Sequence, residues 1–149
     1  MLEQYFEARG WACERAGDGE IIASATGSWA QYELRGVWRP EDQVLQFLAF
    51  PDIKVATEKR AAIYEALGLI NEQLWLGHFD VWLHEGLIMY RHGLMLNGAV
   101  ATEGQCEALF RMALEGCERY FQAFQFVVWA GKDSREALTS TMFETEGRA

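Results

Sequence analysis

The stretch from Leu76 to Leu96, LGHFDVWLHEGLIMYRHGLML, constrains the fold of this chain more than any other. Two runs rich in Val, Leu, Ile and aromatic residues flank Glu85 and Gly86. A residue–Gly pair between two such runs is a hairpin signal. The sequence therefore predicts an antiparallel hairpin in which Glu85 and Gly86 form a two-residue loop.

This loop fixes a register in which Val81 pairs with Tyr90, Asp80 with Arg91, and Phe79 with His92. Because side chains alternate between the faces of a sheet, the hairpin divides into two sets. The set expected to face the core is Phe79, Val81, Leu83, Ile88, Tyr90 and His92. The other set combines charged with large apolar side chains: Asp80, Trp82, Leu87, Met89 and Arg91.

The three histidines of the chain, His78, His84 and His92, all lie in this hairpin. The register places His78 and His84 near opposite ends of one strand, about 20 Å apart at roughly 3.3 Å per residue, and it directs His92 to the other face. No cysteine lies nearby in sequence to complete a ligand set. We therefore expect neither a metal site nor a cofactor.

Length and charge limit the classes of function. At 149 residues and 17.0 kDa, the chain is predicted to form one domain, residues 1–149, and to bury about 70% of its unfolded surface. Half of its residues are hydrophobic and six are Trp, as in a packed globular protein. A net charge of −9 disfavours nucleic acid and anionic membrane surfaces as partners.

The three cysteines indicate a reducing compartment, since their number is odd and no CxxC spacing occurs: Cys13, Cys106 and Cys117. The first seven residues include two glutamates, Glu3 and Glu7, where a signal peptide has basic residues. No uncharged apolar run approaches the ~18 residues of a membrane span. We expect a soluble, cytoplasmic protein in which Cys106 and Cys117 are buried on one helix and Cys13 lacks a general base.

The remaining elements follow from periodicity and capping signals. Thr57 is the predicted cap of a helix over 58–74, and Thr102 with Gln105 forms a capping box for a long helix that Gly131 ends. An accessory helix is predicted at 133–143. The other predicted elements are a helix at 2–9 and strands at 11–16, 20–25, 31–38 and 43–50.

This order, α-βββ(β)-α-ββ-α-α, predicts an α+β fold with an antiparallel sheet of five or six strands and helices packed mainly on one face. Several strands are apolar on both faces, whereas one helix layer covers only one face of the sheet. The residues predicted to form an interaction surface on the second face are Trp82, Leu87, Met89, Val44 and Leu48. Either the terminal helices or another chain must cover them, and a twofold homodimer is the commonest closed arrangement.

A short pattern in the hairpin resembles a known family. The first strand contains the pattern Leu-Gly-x-Phe, formed by Leu76, Gly77 and Phe79. The second contains Gly-x-x-x-Tyr-Arg, formed by Gly86, Tyr90 and Arg91, and the helix containing Asn71 precedes both. Together they resemble the YbjN domain family of bacterial sensory transduction regulators, whose fold is similar to that of type III secretion chaperones. The resemblance implies a regulatory or chaperone-like binding role without known catalysis, and chaperones of this type act as dimers.

Catalytic motifs receive little support from the sequence. The glycines form no phosphate-binding loop, and Gly27-Ser28-Trp29 lacks the second glycine of a nucleophile elbow. The first hypothesis is a non-enzymatic interaction module that binds a protein client. The alternative is a small-molecule-binding domain, or an undetected enzyme, with a pocket between sheet and helices. A broad exposed apolar patch favours the first, and a deep apolar pocket with convergent polar groups favours the second.

Overall fold

The computed structural model describes residues 2–129, which form six strands and three α-helices. In chain order they are α1 (Leu2–Ala8), β1 (Cys13–Arg15), β2 (Glu20–Thr26), β3 (Gln31–Arg39), β4 (Val44–Phe50), α2 (Arg60–Gln73), β5 (His78–Trp82), β6 (Leu87–Met95) and α3 (Glu103–Val128). The α+β fold class is confirmed. The accessory helix predicted at 133–143 lies outside the described residues, as does Gly131.

The strands form one antiparallel sheet in the order β1-β2-β3-β4-β6-β5. Strand β4 is therefore central, in agreement with its apolar residues on both faces. The helices pack on one side, where the ring of Phe110 in α3 meets Phe47 of β4 at 4.6 Å and Phe6 of α1 at 4.9 Å. The core lies between this helix layer and the sheet.

The two long helices begin differently. The capping box of α3 is present, because the Thr102 hydroxyl accepts from the Gln105 backbone N–H and the Gln105 side chain accepts from the Thr102 N–H. The predicted cap of α2 is wrong. Thr57 lies inside a 3-10 turn, Thr57–Lys59, that precedes the helix, and no side chain caps either element. None of the described helices is long and apolar enough to cross a membrane.

The hairpin between β5 and β6 is present, but its predicted register is wrong by two residues. Val81 pairs with Ile88 and Phe79 pairs with Tyr90. The loop contains four residues, 83–86, and the backbone N–H of Gly86 donates a hydrogen bond of 2.6 Å to the Trp82 carbonyl. Leu83 consequently lies in the loop, 59% exposed, and not in the core.

A slip of two residues leaves all the remaining strand side chains on their predicted faces, since faces alternate with a period of two. Asp80 is opposite Met89 and not opposite Arg91. The Asp80–Arg91 ion pair survives as a diagonal contact of 3.8 Å. The division of the hairpin into two unlike faces therefore holds although its pairing does not.

Candidate functional site

The sheet face opposite the helices carries all five residues of the predicted interaction surface. We call it the open face, because the described helices all pack on the other side. Its centre consists of outward side chains from β3, β4, β5 and β6: Arg35, Val44, Leu48, Phe50, Trp82, Leu87, Met89 and Arg91. The five predicted residues are half-buried or, for Met89, buried by their neighbours within the sheet.

One arginine covers part of this apolar surface. The guanidinium of Arg35 lies 5.2 Å from the ring centroid of Phe50 and 5.8 Å from that of Trp82, at cation–π distance. The two rings are 5.9 Å apart. Phe50 is only 3% exposed although no described helix packs on this face. The stem and head of Arg35 thus shield an aromatic pair that would otherwise face water.

Carboxylates hold this arginine in place. Arg35 forms ion pairs with Glu33 at 2.9 Å and with Glu20 at 3.4 Å, both partly buried. Sequence reasoning did not assign Arg35 and Phe50 to the surface. The signal that would have found them is the β3–β4 register, in which Arg35 pairs with Leu48 and Glu33 pairs with Phe50.

A second arginine flanks Leu48 on its other side, because Leu48 is also the partner of Arg91. Arg91 lies 3.8 Å from the Asp80 carboxylate and 3.2 Å from Nε2 of His78. Each arginine is thus paired with acid inside the face, and Leu48 forms an apolar strip between them. The arrangement is a surface on which ion-paired arginines alternate with apolar side chains.

The residues that carried the family resemblance lie mainly on the other side and hold edge strand β5. The Asn71 side chain accepts a hydrogen bond from the Phe79 backbone N–H at 2.8 Å and donates to the Phe79 carbonyl at 3.0 Å. These bonds satisfy the outward N–H and carbonyl of Phe79 at the centre of the edge strand and leave them closed to another strand. Asn71 is therefore a structural residue.

Gly77 and Tyr90 also hold edge strand β5 in place, and we call their contact the Gly77–Tyr90 brace. The Tyr90 hydroxyl donates to the Leu76 carbonyl at 3.1 Å. Gly77 has a φ of 73°, and a Cβ there would overlap the Tyr90 hydroxyl. Burial, with a smaller contribution from Cys117, raises the pKa of Tyr90 to about 12. The hydroxyl therefore keeps its proton and acts as a donor.

Histidines and cysteines form no reactive cluster among residues 2–129. His78 lies on the open face, His84 in the hairpin loop and His92 on the helix side, and no group of three or more His, Cys, Asp or Glu in the described part of the chain could hold a metal ion.

The three cysteines, all within the described residues, form no disulfide, and Cys106 and Cys117 are buried. Burial raises the pKa of both. The pKa of Cys13 is raised by desolvation and then by the carboxylates of Glu7 and Glu3. Arg15 pairs with Glu3 at 2.9 Å and does not activate the Cys13 thiol.

A cleft lies at one end of the sheet on the helix side, and we call it the end cleft. Its volume is about 400 Å³. Its walls are α1 and the segment 96–101, and its floor is formed by Ile21, Gly36 and Leu45. Glu3, Arg15 and Glu20 are the charged residues of its lining, so it lacks the convergent polar groups of an enclosed ligand site.

Two comparisons with known proteins match the chain. The YbjN family model, described as "Putative bacterial sensory transduction regulator", matches residues 1–126. The crystal structure of YbjN from E. coli, described as a putative transcription regulator, superimposes with a TM-score of 0.55 over 87% of this chain and 88% of that chain, at 14% sequence identity. At this identity the likeness shows the fold alone. No curated protein matches the chain.

Proposed function

Because the chain belongs to the YbjN family, we propose that it is a regulatory protein that acts by binding other protein chains through its open face. The family is described as a regulator and not as an enzyme. The proposal has two parts, a homodimer formed through the open face and a protein client that binds the dimer or competes with it.

The observation that supports the proposal most strongly is the composition of the open face. Trp, Met and Arg are enriched at protein interfaces, and this face brings together Trp82, Met89, Arg35 and Arg91 around Leu48. Arg35 shields the Phe50–Trp82 pair from water, and a partner's side chains could take its place on these rings. The paired charges also suit a twofold contact, because the same face of a second copy would offer its own carboxylates to each arginine.

Two further features support this function. The three cysteines form no disulfide among the described residues, which supports the cytoplasm as the compartment of action. The end cleft is open, and its charged lining residues are Glu3, Arg15 and Glu20, of which Glu3 and Arg15 pair with each other. It therefore offers few groups to orient a small molecule, and the small-molecule alternative is the weaker of the two.

The test is capture of the client from native cytoplasm with tagged wild-type protein and two matched variants. Trp82→Glu places a charge in the open face, whereas Trp75→Glu changes a loop residue that is 97% exposed and lies outside it. We expect a client that copurifies with the wild type and with Trp75→Glu but is lost with Trp82→Glu. Equal capture by all three proteins, with unchanged melting temperatures, would show that the open face does not bind the client.

A further inference from the structure

The end cleft is a gap in the helix layer. Helix α1 is only seven residues long, and α3 begins at Glu103. The sheet between their ends is therefore covered by neither helix, although its residues are apolar. On the rim, Trp38 is 37% exposed and Val100 is 75% exposed. An apolar floor with exposed apolar rims is the kind of surface that marks an interaction site.

Gly36 lets helix α1 pack closely on the floor of the cleft. A Cβ at Gly36 would meet Cδ1 of Leu2 at 2.5 Å and Cγ2 of Ile21 at 3.4 Å. The sheet is therefore smooth at this point, and the side chains of α1 approach it closely. A volume of about 400 Å³ is within the range of ligand pockets and is more than one aliphatic side chain fills.

The mouth of the end cleft is acidic. The two carboxylates of its lining are already paired, Glu3 with Arg15 and Glu20 with Arg35 of the open face. The acids that flank the cleft are Asp18, which lies between the lining residues Gly17 and Gly19, and Glu103, which follows the lining residue Ala101 by two positions. In the part of the chain that the structure describes, Asp18 and Glu103 form no ion pair.

We propose that the end cleft binds a helical segment of a partner protein that presents two apolar side chains one turn apart, flanked by Lys or Arg. A helix laid in the gap completes the layer that covers the sheet, as helices do in α+β domains. Its apolar side chains contact Ile21 and Leu45, and its basic residues approach the acidic mouth. The inference rests on the proposed function and assigns it a second binding surface.

The test uses fluorescence anisotropy with three labelled peptides of about fifteen residues, long enough for partial helicity. The first is built of Lys and Ala with two leucines at i and i+4, which lie on one helix face. The second has both leucines replaced by serine, and the third has lysine replaced by glutamate. We expect the leucine peptide to bind about tenfold tighter than the serine peptide, and the glutamate peptide to bind more weakly than either.

Two matched protein variants locate the binding. Ala99→Trp fills the end cleft from its rim, whereas Ala61→Trp places the same side chain on an exposed position of α2. We expect Ala99→Trp to abolish the preference for leucine over serine and Ala61→Trp to keep it. Asp18→Lys lies in an exposed turn and should weaken both lysine peptides while the preference remains.

Equal affinity for the leucine and serine peptides would overturn the inference, because it would show attraction by net charge alone. An unchanged leucine preference in Ala99→Trp, with the variant folded, would place the binding elsewhere and also overturn it. Either failure leaves the open face untouched. If client capture still depends on Trp82, the proposed function stands without the end cleft.

Discussion

The two faces of one sheet differ in what their side chains do. On the helix side, Phe79 packs against Phe124 at 5.1 Å and Tyr90 at 5.3 Å, and its backbone N–H and carbonyl are both bonded to the Asn71 side chain. On the open face, alternate residues of the same strands form rows of arginine, carboxylate and large apolar side chains. The comparison teaches that adjacent residues of one hairpin can serve stability and association separately.

The family pattern belongs almost entirely to the first face. Gly77, Phe79, Tyr90 and the backbone carbonyl of Leu76 hold β5 against β6 and the helices. Arg91 is the pattern residue that lies on the open face, where it contacts Asp80 and His78. The pattern therefore identifies a way of building this hairpin, and the surface proposed for binding lies mostly outside it.

The largest expected effect is on the helix side, at Gly77. Gly77→Ala forces a side chain into the left-handed region and against the Tyr90 hydroxyl. We expect a loss of roughly 2–5 kcal/mol in the free energy of unfolding, from backbone strain and overpacking together. Denaturant unfolding measures it.

Gly68 is the matched control. It lies in α2 with no heavy atom within 4 Å of its Cβ position, so Gly68→Ala should stabilise the protein by about 1 kcal/mol. Similar small shifts for both variants would mean that the Gly77–Tyr90 brace contributes little to the fold.

A smaller effect on the same side depends on pH. His92 is partly buried, and desolvation followed by the charge of His78 lowers its pKa from the ordinary value of 6.5. The unfolded state then binds more protons than the folded state, so the contribution of neutral His92 to stability is complete above about pH 6.5 and is lost as the pH falls through the lowered folded pKa.

His92→Gln should therefore lose less stability than the wild type between about pH 7 and pH 5. His84→Gln changes an exposed loop histidine and should follow the wild type. Thermal unfolding across this range compares the three proteins. Parallel curves for His92→Gln and the wild type would remove His92 as the source of the acid sensitivity.

How much the sequence predicts depends on the range of the interactions involved. The faces of β5 and β6 follow from local alternation and survive a register slip of two residues. The slip itself could not be foreseen, because Glu85-Gly86 suits a two-residue loop as well as the end of a four-residue one. Thr57 likewise has the chemistry of a cap, but the chain continues through a 3-10 turn at that point.

The open face and the end cleft were predictable to different extents. Five residues of the open face follow from alternation, whereas Arg35 and Phe50 required the β3–β4 register and the packing of an arginine over two rings. The end cleft joins Leu2, Gly36 and Val100, which are far apart in sequence. No local pattern carries that information.

The central claim is that the open face is where copies of the chain associate, and Leu48→Glu tests it most directly. The new carboxylate would lie between its cross-strand neighbours Arg35 and Arg91, so the fold should lose about 1 kcal/mol or less. Leu76→Glu is the control, because Leu76 is an exposed leucine in the loop before β5, outside the open face.

Light scattering at tens of micromolar should give twice the chain mass of 17.0 kDa for the wild type and for Leu76→Glu, and the chain mass itself for Leu48→Glu. A wild type that scatters as a 17.0 kDa monomer, or a Leu48→Glu variant that remains a dimer with its fold intact, would contradict the claim.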